Sequence, residues 1–155
     1  MTIKKVRVFD LDGCLADSSH RYRLGDDGKI DLQHWCDNSY KVPSDSPLPL
    51  ATLYREGLKD AGVYTIIATA RVWCKNSTDW LGHHLGFPDK LIFRESDDDA
   101  RGGAALKISA IKPLLNLRQF RGAKVEVFED NHVYLRDLCH ALKAEGHYIT
   151  SNQGH

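Results

Sequence analysis

The stretch Val6-Arg7-Val8-Phe9-Asp10-Leu11-Asp12-Gly13 limits what this chain can fold into more than any other part of it. Val6, Val8 and Phe9 have the β-branched and aromatic character of a buried strand, and Gly13 marks its stop. On a strand, Asp10 and Asp12 at spacing i, i+2 would point to the same face. Two carboxylates held so close repel unless a cation compensates them. The pattern therefore implies a divalent metal, chemistry on a charged substrate, or both.

Beyond this point strand-like and helix-like segments alternate through the 155 residues, a length suited to one domain with a full core. Residues 14–49 are polar and rich in breakers (Gly25, Gly28, Pro43, Pro47, Pro49) and read as a flap-like insertion with short helical pieces. A helix is predicted over Leu50–Ala61, stopped by Gly62, then a buried strand Val63–Ala68 ending at Thr69-Ala70-Arg71. Next come a helix near Asn76–Leu85, a short strand Lys90–Phe93, and a helix from about Ala104 that Pro113 should end or kink. A strand Lys124–Phe128 breaks at Glu129-Asp130-Asn131. The following helix is stopped by Gly146, and His147–Thr150 reads as a last strand. Such alternation implies an α/β fold: a doubly wound parallel sheet covered on both faces.

In open sheets of this kind ligands bind at the carboxyl ends of the strands. Asp10 and Asp12, Thr69 and Arg71, and Glu129 and Asp130 all fall at or just past predicted strand ends. Lys107 lies near the start of the next helix, in reach of the same rim. Four stretches thus deliver polar groups to one edge.

Composition excludes more than it suggests. Lys plus Arg and Asp plus Glu each total 21, so the formal net charge is zero, which argues against a dedicated nucleic-acid or membrane binder. No apolar run approaches the roughly 20 residues that span a bilayer. The first strand follows Met-Thr-Ile-Lys-Lys directly, leaving no room for a signal peptide. Cys14, Cys36, Cys74 and Cys139 form no CxxC pair and read as isolated reduced thiols, which fits a cytoplasmic setting.

The ordered set Phe9-Asp10-Leu11-Asp12-Gly13, strand then Thr69, isolated Lys107, strand then Glu129-Asp130 resembles the haloacid dehalogenase (HAD) superfamily of phosphotransferases, from Val6 to about Asp137. Cys14 stands where that family usually has Thr. The resemblance implies a Rossmann-like core and a Mg²⁺-dependent phosphatase. In it Asp10 is the nucleophile that forms an aspartyl-phosphate, and Asp12 is the acid and base. Lys107 is the catalytic cation, and Thr69 and its neighbours hold the phosphate. The expected metal set is Asp10, Asp12 through its backbone carbonyl, and Asp130, with Glu129 as an alternate ligand. A finer likeness is to the 3′-phosphatase domain of phage-type polynucleotide kinase/phosphatases. It runs through Trp35, Thr69-Ala70-Arg71, Trp80, Leu91-Ile92-Phe93-Arg94, Asp97-Asp98-Asp99-Ala100-Arg101 and Lys107. No Gly-x-x-x-x-Gly-Lys-Ser/Thr phosphate loop accompanies it.

Only 55 residues separate Gly13 from Thr69, too few for a full cap domain beside the helix predicted there. The likeness thus implies a phosphomonoester on a nucleic-acid 3′ end as the substrate. The neutral charge keeps a mononucleotide or other small phosphoester as the alternative. Ala70, Arg71 and Arg94 are candidate phosphate contacts, and Arg101 is either another or a surface ion pair. His20, Arg21 and Arg23 read as a basic patch in the flap, and Trp35 and Tyr40 as base-stacking or loop-anchoring aromatics. A phospho-acceptor receiver domain uses similar residue types, but it carries its acceptor Asp on the middle strand with Thr and Lys later. Here the corresponding strand ends in Thr69 and the last acids follow the lysine.

Overall fold

The computed structural model describes residues 2–151. Its elements in chain order are β1 (Lys5–Phe9), β2 (Ala16–Asp17), α1 (Leu32–Asp37), β3 (Ser46–Pro47), α2 (Ala51–Leu58), β4 (Val63–Val72), α3 (Lys75–His84), β5 (Lys90–Arg94), α4 (Gly103–Leu115), β6 (Lys124–Glu129), α5 (His132–Leu142) and β7 (Glu145–Tyr148). Five strands form a parallel sheet in the order β5-β4-β1-β6-β7, and β2 and β3 form a small antiparallel ribbon in the flap. β1 is central: Phe9 lies in register with Ile67 of β4 and Phe128 of β6, and Val8 with Ile66 and Val127. The chain leaves β1 for one side of the sheet and returns for the other, so the switch point lies beside β1.

Strand alternation divides the interior in two. On one face Phe9, Ile67 and Phe128 pack with Tyr54 of α2, Trp80 and Leu81 of α3, and Leu11, Leu15, Ala16 and Val42 of the flap. The Phe9 ring stacks on Phe128 at 4.8 Å between centroids and meets Tyr54 edge-on at 5.5 Å. On the other face Val6, Val8, Ile66, Ile92 and Val127 pack with Ile111 of α4 and Leu138 and Leu142 of α5. Flap residues thus belong to the first core, so the flap is part of the packed body. Among the described residues no helix is long and apolar enough to cross a membrane.

Four boundaries differ from the sequence reading, each for a tertiary reason. The helix expected to run from Leu50 to Ala61 occupies only Ala51–Leu58, because Gly62 O accepts from Lys4 and Lys5 and draws the chain into the sheet. Pro113 does not end α4. Leu114 and Leu115 pack against the second core and hold two further residues helical beyond it. The helix before Gly146 ends earlier, with Lys143 in the left-handed region at φ 53°. Gly146 itself lies in β7, where a Cβ would sit 2.8 Å from Cys139 Sγ, so the last strand begins at Glu145 and stops at Tyr148. Finally, Thr69-Ala70-Arg71 lie inside β4, not beyond it. Pairing with β5 is irregular between Ala68 and Val72, and β1 has already ended, so the strand is free to re-aim these residues.

Leu138 is fully buried in the second core. Leu138→Ala should lower the unfolding free energy by about 2–5 kcal/mol in urea titration, with an unchanged denaturant slope.

Candidate active site

Asp10 is the first residue beyond β1, and its N–H still extends the ladder by donating to Phe128 O at 3.0 Å. The chain then curls: Leu15 and Ala16 both donate to Leu11 O at 2.9 Å, and Gly13 turns at φ +82°. The curl removes the alternation that would have aimed both acids to one side. Asp10 Oδ1 accepts from Lys107 Nζ at 3.0 Å, whereas Asp12 faces the flap. There it accepts from Ser18 Oγ at 2.9 Å and from Arg71 through both Nε (3.2 Å) and Nη2, with Arg21 Nη2 3.7 Å away. Burial would raise the Asp12 carboxyl, but Arg71, Arg21 and Ser18 outweigh it and hold it below the usual carboxylate range.

Around Asp10 the balance is reversed. Lys107 Nζ also donates to Glu129 Oε2 at 2.8 Å, and Lys107, Glu129 and Asp130 are each only 2% exposed. Burial opposes the lysine's charge, yet Asp10 and Glu129 hold its pKa above the ordinary value. Glu129 is pushed up by burial and by Asp10, and Asp130 by burial, Asp10 and Glu129, although a hydrogen bond from Ser151 works the other way. Gly13 is required here: a Cβ would lie 2.1 Å from Asp130 Oδ2 and 2.9 Å from Ser151 Oγ.

Two carboxylates thus share one lysine and a third stands beside Asp10, an arrangement that suits a hard divalent cation. Ligand atoms of Asp10, Cys14 and Asp130 lie within 4.8 Å of one another. The Cys14 thiol is held neutral by burial and by the Asp10 and Asp130 charges and points at Phe128 O at 3.9 Å. That leaves carboxylate oxygens as the donors, the chemistry Mg²⁺ prefers. Glu129 is turned to Lys107 and Asn131 N, so Asp10 and Asp130 are the side chains placed to ligate.

The irregular part of β4 supplies the opposite wall. Thr69, 1% exposed, accepts from Arg71 N at its Oγ1 (3.1 Å). Arg94 is occupied by the main chain: Nε donates to Ala70 O at 3.1 Å and Nη1 to Asp99 O, which ties the loop after β5 to β4. Arg101 chelates Asp99 with Nε at 3.0 Å and Nη2 at 2.7 Å, and its charge helps hold Asp99 at about 2. The surface-pair reading of Arg101 is the one the geometry matches.

The flap basic patch is not present as expected. Arg21 is 1% exposed and forms a bidentate pair with Asp45, Nε and Nη2 each at 2.9 Å. His20 Nε2 lies 2.7 Å from Asp45 Oδ1, and Arg23 pairs with Asp31 on the outside. Each cation has a local acid, so no net positive patch forms. Trp35 covers the Arg21 guanidinium at 4.1 Å, whereas Tyr40 is 67% exposed. Sequence reasoning missed Asp45, Ser18, Ser77 and Ser151. Asp45 sits in Ser44-Asp45-Ser46-Pro47, which reads as an ordinary turn.

Comparison with known proteins agrees with this architecture. Residues 1–84 match the model of the bacteriophage T5 5′-deoxynucleotidase family. The 5′-deoxynucleotidase of Escherichia phage T5 is 33% identical over 84 residues, covering 51% of this chain but only 34% of that protein. Similar solved structures include a chain of the Pnkp1/Rnl/Hen1 complex (TM-score 0.69, 17% identity, 97% of this chain and 47% of that one). The HAD domain of the Legionella pneumophila effector Lem4 (0.64, 11%, 97% and 88%) and a haloacid dehalogenase-like hydrolase from Streptococcus pneumoniae (0.64, 13%, 97% and 89%) have the same fold. With the Asp-x-Asp loop, the lysine and the acid pair assembled at the carboxyl edge of this sheet, the chain is a HAD-fold protein and belongs to the bacteriophage T5 5′-deoxynucleotidase family.

Proposed function

We propose that this chain is a Mg²⁺-dependent phosphomonoesterase that removes the phosphate of a deoxynucleoside 5′-monophosphate through an aspartyl-phosphate on Asp10. The observation that carries this reading is the buried lysine held by Asp10 and Glu129, with Asp130 beside them, in a chain of a deoxynucleotidase family. The formal net charge of zero and the packed flap also favour a small substrate over a long polyanion.

Lys107 offsets the repulsion between a carboxylate nucleophile and a phosphate, and Asp10 and Asp130 would hold a cation whose charge adds to that of the lysine. When bound, Mg²⁺ supplies Lewis-acid charge stabilisation of the phosphoryl oxygens. Asp10 then forms a bond to phosphorus as the bond to the leaving oxygen breaks, while the Thr69 hydroxyl and backbone N–H groups of this loop hold the phosphoryl oxygens. Asp12 gives a proton to the leaving oxygen and later takes one from the water that hydrolyses the aspartyl-phosphate. The incoming phosphate competes with Asp12 for Arg71, and each hydrogen bond that moves to phosphate strengthens the hold of Asp12 on a proton. A second reading, action on a 3′-phosphorylated nucleic-acid end, is favoured by the likeness over 97% of this chain to part of the Pnkp1/Rnl/Hen1 complex.

Asp10→Asn should reduce turnover by at least ~1,000-fold with the fold intact, measured by phosphate release and circular dichroism. Lys107→Met should cost ~100-fold or more, whereas Lys112→Ala, at an exposed position of α4, should change turnover less than about twofold. In a panel of deoxynucleoside 5′-monophosphates, 3′-monophosphates and 3′-phosphorylated oligonucleotides, the first class should show the highest kcat/KM. Preference for the oligonucleotide would favour the second reading.

Cation binding should also appear in stability. Without a cation, Glu129 and Asp130 in the folded chain keep protons that the unfolded chain releases above about pH 4, so stability falls as pH rises from there. Asp12 and Lys107 do not change protonation over that range, because one is shifted down and the other up. The midpoint of thermal unfolding in EDTA should therefore fall between about pH 5 and 8, and saturating Mg²⁺ should restore most of the loss.

A further inference from the structure

We infer that Asp45, at the end of the flap, is a positioning residue for proton transfer at Asp12, acting through Arg21 and Arg71; this rests on the acid-base role proposed for Asp12. The two arginines that hold Asp12 are both held from behind by this one carboxylate. Asp45 Oδ2 receives Arg21 Nη2 at 2.9 Å and Arg71 Nη2 at 3.4 Å, and Oδ1 receives Arg21 Nε at 2.9 Å and His20 Nε2 at 2.7 Å. The Asp45 side chain is fully buried, and its main chain is pinned as well: Trp80 Nε1 donates to Asp45 O at 2.8 Å, and Asp45 N donates to Val42 O at 2.9 Å.

The remaining sides of the arginine pair are closed. Trp35 lies across the Arg21 guanidinium, and Arg71 Nη1 donates to Ser77 Oγ at 3.0 Å. The open side of each faces Asp12, whose side chain is 15% exposed against 1% for Arg21 and 3% for Arg71. The order acid, two bases, acid therefore runs from the packed end of the flap to the reacting centre, and only its last member meets the rim. A flap staple alone would need one ion pair. This carboxylate takes both guanidinia near Asp12: it holds Arg21 bidentately, and it touches through one atom the Arg71 fork that chelates Asp12, so the orientation of Asp12 is set from Asp45. The planar fork of Arg71 passes that orientation on, as a single point charge would not.

The consequence is a dependence on the leaving group. An alkyl leaving oxygen, as in a nucleotide, needs a proton as its bond to phosphorus breaks, whereas p-nitrophenolate leaves without one. kcat/KM covers steps up to formation of the aspartyl-phosphate, so a displaced Asp12 harms the first substrate and spares the second. With wild-type protein and Mg²⁺, Asp45→Asn should lower kcat/KM for a deoxynucleoside 5′-monophosphate by ~30-fold or more and for p-nitrophenyl phosphate by less than about threefold. Equal losses on both substrates, or no loss on either, overturn the inference: the first marks a structural lesion and the second an idle residue. Thermal unfolding is recorded in parallel, because stripping a buried ion pair of one partner is destabilising. If Asp45→Asn does not fold, Asp45→Glu, which keeps the charge and moves it by one methylene, is read the same way, with the same selective loss expected. Asp10→Asn is measured beside them. Activity surviving in that variant overturns the proposed mechanism itself, whereas an inactive Asp10→Asn with an unselective Asp45 variant overturns only the role of Asp45.

Discussion

Lys107 Nζ is buried between Asp10 and Glu129, and this triad ties three elements of the fold to one point. The lysine comes from α4, Asp10 from the end of β1 and Glu129 from the end of β6, and the lysine and Asp10 are 97 positions apart in the sequence. A buried ammonium is tolerable only with such partners, and the partners are tolerable only with it. Asp130 is a third acid at the same place, and it leaves the centre one cation short. The surplus of acid at the site is thus an electrostatic consequence of how the sheet edge is packed.

The second polar system, Asp12 with Arg71, Arg21 and Asp45, is balanced internally, with two acids, two bases and a histidine at its outer end. It welds the flap to β4, and so the flap packs into the same core as α2 and α3. The two systems are joined along the chain by the loop 10–13. Its curl turns one carboxylate toward the surplus of acid and the other toward the surplus of base. Two carboxylates can therefore stand two residues apart and work in different fields.

Much of this was legible in the sequence. The parallel sheet followed from the alternation of apolar runs with amphipathic segments, and its carboxyl edge followed from that topology. Asp10, Asp12, Thr69, Lys107, Glu129 and Asp130 were named as candidates because acids, a threonine and a lysine fell at strand ends or just after them. The structure brings them to one edge, with Lys107 near the start of α4. The flap was less legible. His20, Arg21 and Arg23 looked like a basic patch because their acids, Asp45 and Asp31, are 25, 24 and 8 residues away. Long-range pairing of this kind leaves no periodic signal. The helix boundaries at Pro113 and Gly146 failed for a related reason, since packing against neighbouring elements outweighed local preference there.

What the sequence determined by itself was the order of chemistry along the chain: an acid pair after the first strand, then a hydroxyl, a lysine and a second acid pair. That order is covalent and needs no folding to be read. Tertiary structure alone decided what each acid faces. Whether Asp10 meets the lysine and Asp12 the arginines depends on the turn at Gly13, on the irregular end of β4, and on a flap carboxylate 33 residues beyond Asp12. Charge fields fall off with distance through space rather than along the chain, so the protonation of each group is a property of the packed neighbours that folding supplies.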